Sequence, residues 1–404
     1  MFNGEYGMRW KNYTSLPEKF KNQRVFDGCG ISSFMNVDGT RVSGQKVIDM
    51  LCILKDRENG LGAGYAGYGI YPEYKDYYAF HFLFDTENAK SKTLEFLENQ
   101  GKIIQSEPIP TYLNDDIDNP PIIWRAFFEP RRGKNQNYEE KIVQIVMEIN
   151  ANINNAFVMS SGKNMGVFKG NGWSHEIAEF YKIKDYKAYM WLGHSRFPTN
   201  TPGWWGGAHP FNLLDCSVVH NGEITSYGTN RRYLESFGYK CTLFTDTEVI
   251  AYLIDLLHRR HEVPISVAAI ALAPPLHEEI EKFDQKSQKI FKNIRATYRS
   301  AMLNGPFSIV VGISDPVPTM MGLSDRKKLR PLVVGISGDE NTVYMSSEEA
   351  SFKRLMLAKT AFDLKEIWHP KSGTAVIVKL SKGLIKKGLE SPLSMNISSP
   401  LEVV

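Results

Sequence analysis

The sequence predicts an α+β protein in which two packed β-sheets are covered by helices. Short apolar runs rich in β-branched and aromatic residues recur along most of the chain. Helical periodicity is grouped between these runs instead of alternating with them one for one, which separates the pattern from a parallel βαβ sheet. Apolar residues make up 42% and charged residues 23%, an ordinary balance from which 404 residues can bury a sizeable core.

Residues 1–28 are polar and aromatic without sustained periodicity, and they close on Asp27-Gly28, a turn-prone pair that marks an exposed boundary. Residues 29–36 read as a strand followed by a turn at Asp38-Gly39. A helix starting near Ser43 places Val47, Ile48, Leu51 and Leu54 at helical spacing and stops at Gly60. The glycine run 60–69 lacks a preceding strand and a following helix, so it reads as a turn-rich connection instead of a phosphate loop. Further strands are expected at 78–84, 122–128, 189–193, 213–219, 307–313, 331–336, 342–346 and 374–380. Helices are expected at 88–100, 138–150, 248–261, 286–303 and 348–357. Residues 101–135, rich in Pro, Asn and Asp, read as an insertion or a long surface connection. No repeat divides the chain. The organisation read from it is a leader at 1–28, one domain at 29–385 and a tail at 386–404.

A net charge of +3, from 48 basic and 45 acidic side chains, argues against a nucleic-acid or membrane-surface partner. The longest apolar stretch, 265–276, is too short to span a bilayer and contains Pro274 and Pro275. The N-terminus carries no secretory pattern. The four cysteines, Cys29, Cys52, Cys216 and Cys241, form no C-x-x-C pair, which argues against a zinc or iron–sulfur site. Cytoplasmic residence is the expectation for so cysteine-poor a chain. His258, His261 and Glu262 read as a solvated helix end with no metal.

Four segments carry chemistry. Cys29 opens a strand directly after a breakable Asp-Gly; as a first residue its thiol would have its own α-amine, of reference pKa about 8, as a base. The bland alternative is a small buried hydrophobe. In G-H-S-R-F-P-T-N-T, residues 193–201, a strand runs out into a loop. There Arg196 offers a fork suited to a carboxylate, and Thr199 a hydroxyl. Pro202-Gly-Trp-Trp-Gly-Gly207 combines hinges and aromatics in the manner of a lid, while a rigid loop with Arg196 in a structural ion pair is the competing reading. Asn221-Gly222 is a strong hairpin signal. It is equally a pair of donors, a side-chain amide and an N–H, able to hold an oxyanion. In Thr245-Asp-Thr-Glu248, Thr245 and Glu248 fit a capping box and Asp246 suits the helix dipole. Asp246 could also be the counter-ion of a substrate ammonium.

Together these segments resemble the glutaminase domain of class-II glutamine amidotransferases, which are N-terminal-nucleophile hydrolases. The resemblance rests on C-G-I at 29–31, H-S-R-F-x-T-N-T at 194–201, A-H-P-F at 208–211, H-N-G-E-I at 220–224 and T-D-T-E at 245–248. G-P-F-S-I-V-V-G at 305–312, D-R-x-x-x-R-P-L at 325–332 and S-S-E at 346–348 extend it. The motif forms are most similar to glutamate synthase. The resemblance implies a four-layer αββα sandwich of two antiparallel sheets. It implies that Cys29 is the nucleophile, Asn221 and Gly222 the oxyanion hole, Arg196 and Thr199 the carboxylate site and Asp246 the ammonium site. It also implies that residues 1–28 are a removable leader, with scission between Gly28 and Cys29. No cofactor is expected in the chain itself. The ammonia acceptor is expected on a separate synthase subunit carrying flavin and iron–sulfur groups. A glutamine-sensing module without turnover, and a glutaminase serving another acceptor, are the alternatives.

Overall fold

The structure is a computed structural model that describes residues 28–112, 117, 119–131, 133, 137–197, 203–357, 363–390 and 392. Residues 1–27 of the expected leader, Thr199, and residues 391 and 393–404 of the expected tail lie outside the described residues.

Two antiparallel sheets face each other. The larger runs in the order β17 (Leu364–Trp368), β15 (Val333–Ser337), β16 (Thr342–Ser346), β1 (Gly30–Asn36), β10 (Met190–Ser195), β3 (Ala63–Tyr68) and β8 (Met165–Gly170). The second runs β11 (Phe211–Leu213), β12 (Cys216–Gly222), β13 (Phe307–Ile313), β14 (Thr319–Ser324), β18 (Val376–Lys379) and β19 (Gly383–Lys386). Central strands such as β1 and β13 are buried along their whole length because both faces are covered, so they read as continuous apolar runs. Hydrogen bonds cross between the sheets: Tyr68 Oη donates to Gly312 O at 2.7 Å, and His194 Nε2 lies 2.8 Å from His220 O.

Helices form the outer layers. On the larger sheet lie α1 (Gln45–Cys52), α4 (Ser174–Phe180) and α10 (Ala350–Leu357). On the second, α5 (Tyr227–Ser236) packs on α6 (Asp246–Ile254), which covers β11 and β12. This is the αββα sandwich expected. A third sheet of four strands, β5 (Gly101–Pro108), β6 (Ile122–Pro130), β4 (Tyr78–Phe84) and β7 (Ala156–Ser160), carries α2 (Glu87–Gln100) and α3 (Tyr138–Asn152). Among the described residues no helix is long and apolar enough to cross a membrane.

Several expectations need correction. About half of the segment 101–135 is no surface connection: Gly101–Pro108 and Ile122–Pro130 form β5 and β6, which pair with each other in the third sheet. The glycine run 60–69 holds β3, buried throughout between β10 and the edge strand β8 of the larger sheet. Its glycines answer to neighbours distant in sequence. A Cβ on Gly64 would stand 2.3 Å from His209 O, and one on Gly67 would stand 2.9 Å from the Trp191 ring. The helix after Ser43 stops at Cys52, and the helix expected at 248–261 passes at Asp255 into a π-helical turn to Arg260.

Candidate active site

The register of the larger sheet assembles the site. Gly30 pairs with Ser195, so Cys29 and Arg196 emerge side by side from adjacent strand ends. The Phe197 N–H donates to Cys29 Sγ at 3.3 Å. Burial pushes the Cys29 thiol up, opposed by that N–H and by the Arg196 and Arg330 charges, while Asp246 adds to the rise. Arg196 is 4% exposed, and its backbone N–H donates to Gly62 O at 2.8 Å. Burial lowers the guanidinium pKa, and the Cys29 and Asp246 charges work against that fall.

From the second sheet, Asn221 and Gly222 end β12. The turn that the Asn-Gly pair advertised is made elsewhere. Leu213 pairs with Cys216, leaving Leu214-Asp215 as the hairpin loop, with Leu214 at φ +50. Tertiary contacts pin that unfavoured conformation: Ser161 Oγ accepts from Leu214 N, and Asn212 Nδ2 donates to Leu214 O and Cys216 O. Asn221 and Gly222 instead pair with Ser308 and Phe307. Gly222 sits at φ +142, and a Cβ there would stand 2.0 Å from Pro306 O, so only glycine fits. Asn221 is fully buried, with Nδ2 at 3.4 Å from Ser347 Oγ and Oδ1 without a partner among the described residues. That end of the amide faces the residue before the thiol: a methyl on Gly28 would stand 3.3 Å from it.

Asp246 is the first residue of α6. Thr245 caps the helix by accepting from Glu248 N at 3.1 Å. The reciprocal half of the expected capping box is absent, because the Glu248 carboxylate accepts from Thr242 N and Leu243 N. Asp246 Oδ2 accepts from Ile224 N at 3.0 Å, and Oδ1 lies 3.4 Å from His220 Nδ1. Burial raises the Asp246 pKa, but His220, the Ile224 N–H and the Thr247 hydroxyl outweigh it and keep the carboxyl below its usual value.

Cys29, Arg196, Asn221, Gly222 and Asp246 thus come from both sheets and one helix to one corner. Two features there were missed in the sequence. His194, His209 and His220 stack, with ring centroids 4.0 Å apart for the first pair and 6.4 Å for the second. Thr247 Oγ1 bridges His209 Nε2 at 3.2 Å and His220 Nδ1 at 3.1 Å. Burial pulls His194 down to about 3 and His209 well below its ordinary value. Each histidine belongs to one of the quoted motifs, but spacing gave no sign that the rings meet. Lys169, 2% exposed, donates from Nζ to Gly206 O at 2.9 Å and lies 4.1 Å over the Phe211 ring. Burial draws it down to about 7. It ties down the glycine–tryptophan segment read as a lid. Within that segment Gly206 and Gly207 make room for the Trp204 ring, which a Cβ on either would meet within 2.4 Å.

Residues 112–390 match the family of class-II glutamine amidotransferases. The chain belongs to that family. The span matched holds Arg196, Asn221, Gly222 and Asp246; Cys29 precedes it and reaches the other residues of this amidotransferase through the pairing of β1 with β10. An uncharacterized protein of Archaeoglobus fulgidus is 46% identical over 359 residues, which cover 87% of this chain and 92% of that one. A putative glutamine amidotransferase of Methanothermobacter thermautotrophicus is 27% identical over 339 residues, 81% of this chain and 94% of that one. A glutamine–fructose-6-phosphate aminotransferase of Sulfurisphaera tokodaii is 28% identical over 208 residues, and the match spans 29% of its length. A solved phosphoribosylpyrophosphate amidotransferase of B. subtilis superposes with a TM-score of 0.42 at 15% identity, covering 88% of this chain and 48% of that one.

Proposed function

We propose that this amidotransferase is a glutaminase subunit that hydrolyses the side-chain amide of glutamine and supplies ammonia to a separate synthase making glutamate from 2-oxoglutarate. It works in the cytoplasm, with no cofactor of its own; flavin and iron–sulfur groups reside on the synthase. One observation carries the reading. A thiol at the start of β1 stands beside a buried arginine, a partly buried aspartate and a buried asparagine amide, drawn from segments far apart in sequence.

The roles follow from charge and geometry. Arg196 with Thr199 takes the α-carboxylate of glutamine, and Asp246 takes its ammonium. Removal of residues 1–28 frees the α-amine of Cys29, which accepts the thiol proton as Sγ bonds to the δ-carbon. Asn221 and the Gly222 N–H stabilise the oxyanion. The C–N bond then breaks, the amine returns its proton to the departing ammonia, and water hydrolyses the γ-glutamyl thioester to glutamate.

Intact mass and N-terminal sequencing of active protein should find a chain starting at Cys29. Glutamate release from glutamine should vanish in Cys29→Ala while glutamine binding survives. Equal turnover by the two proteins would reject the nucleophile. Glutamate formed from 2-oxoglutarate when a candidate synthase is added would identify the acceptor; ammonia lost only to water would reject that part.

A further inference from the structure

Two sequence motifs remain without a role in the chemistry above, D-R-x-x-x-R-P-L and S-S-E, and both converge on the residue that precedes the thiol. Asp325 organises the first. Its carboxylate accepts from the backbone N–H groups of Phe307, Lys327, Leu329 and Arg330, which fixes the turn from which Arg330 projects. Ser346, Ser347 and Glu348 organise the second. Ser346 Oγ donates to Ile31 O at 2.8 Å, and Ile31 N donates to Ser347 Oγ at 3.0 Å, so the start of β1 is strapped in place. Glu348 forms an ion pair with Arg57.

The two guanidinium groups meet at Gly28. A methyl group there would stand 3.1 Å from Arg57 Nη1 and 3.4 Å from Arg330 Nη1. Gly28 also holds φ +134, a backbone conformation that favours glycine at position 28. Arg57 has Glu348 as its counter-ion. Arg330 has no ion-pair partner among the described residues, and its Nε is buried without a hydrogen bond. Arg330 is partly buried, and its guanidinium brings a positive charge up to the backbone that leads into the thiol.

We infer that Arg330, together with the Arg57–Glu348 pair, acts through the catalytic base: its positive charge keeps the freed α-amine of Cys29 unprotonated and ready to accept the thiol proton. Nearby positive charge disfavours an ammonium. The charged groups bearing on Cys29 are Arg196, Asp246 and Arg330, and Arg57, paired with Glu348, stands at the position that Gly28 vacates on scission. Of these, Arg196 and Asp246 are claimed by the substrate. Arg330 is the charge left to act on the amine. The inference rests on the glutaminase reading.

The test is the pH profile of glutamine kcat/KM, taken on chains shown by intact mass to begin at Cys29. Arg330→Gln should move the acid limb to higher pH by about one unit, and Arg330→Lys, which keeps the charge, should leave it near the wild-type position. Glu348→Gln, at a half-exposed carboxylate that folding tolerates, should move the limb the other way. A limb unmoved in Arg330→Gln, or moved equally in the Gln and Lys variants, would overturn the inference, as would an unmoved or upward limb in Glu348→Gln. The initial rate of reductive methylation of the α-amine, followed by peptide mass spectrometry, reads the same titration without turnover. An inactive wild type would therefore sink the glutaminase reading and still leave the amine's response to Arg330 measurable.

Discussion

The corner between the two large sheets is buried and the inserted third sheet partly so; both are rich in polar side chains, yet they satisfy those side chains differently. In the third sheet the polar groups are matched. His81 has both ring nitrogens engaged, with Val167 O at 3.0 Å and Tyr71 Oη at 2.8 Å. Arg125 is paired with Glu107, and Trp124 Nε1 donates to Ser106 Oγ at 2.7 Å. At the corner, His194 Nδ1, Ser195 Oγ, His209 Nδ1, His220 Nε2, Asn221 Oδ1 and Arg330 Nε are buried without partners among the described residues, while no such atom falls between residues 78 and 160. Buried polar groups are expensive to leave unpaired. A region that tolerates a cluster of them is holding donors and acceptors ready for something else, and the third sheet, which tolerates none, serves the fold.

The sharpest way to break this contrast is to damage each region and measure both stability and turnover. Phe127 stacks on Tyr74 with centroids 3.9 Å apart and meets Tyr71 edge-on at 5.1 Å. Phe127→Ala should cost about 3–5 kcal/mol of stability by denaturant unfolding. Its kcat at a temperature where the variant is folded should stay near wild type; a large fall in kcat would dissolve the distinction. Asn221→Ala should do the reverse, lowering kcat by roughly 10²–10³, about 3–4 kcal/mol of transition-state stabilisation, with little change in KM. An unaltered kcat would return Asn221 to a purely structural role.

The smallest effect concerns pH. Burial holds His81 neutral, with its pKa pulled down to about 3. The unfolded chain takes up a proton as pH falls below about 6.5, while the folded protein does not until near 3. Folding stability from this group is therefore constant above pH 6.5 and declines as pH falls through that window. By pH 5 the loss is about 2 kcal/mol, and it should be missing in His81→Gln. Unfolding midpoints of the two proteins at pH 7 and pH 5 make the comparison; parallel declines would show that His81 is not the group responsible.

Strands such as β4, β13 and β16 were legible because an apolar run buried on both faces reads the same in isolation as in the sheet. The helix cap at Thr245 was legible for a similar reason, since a cap acts within its own turn. The strand β3 was hidden because its glycines carry no apolar signal and make sense only against Trp191, Phe168 and the His209 carbonyl. The hairpin at Leu214-Asp215 was hidden because residues outside the loop hold it: Ser161 and Asn212 bind Leu214, and Lys163 N–H and the Ser314 hydroxyl bind the Asp215 carboxylate. Of the candidate site, the residue types and their order were readable; the histidine stack, Lys169 and the arginines at Gly28 were not.

By itself the sequence determined which chemistries are present: a thiol behind a breakable Asp-Gly, a fork for a carboxylate, a pair of donors, a capped aspartate. Those signals are local, set by spacing within a strand, a turn or the first turn of a helix. Only the tertiary structure decided that they meet. Contacts such as Phe197 N–H to Cys29 Sγ, 168 residues apart, and Ile31 N–H to Ser347 Oγ, 316 apart, depend on sheet register, which no short window of sequence contains.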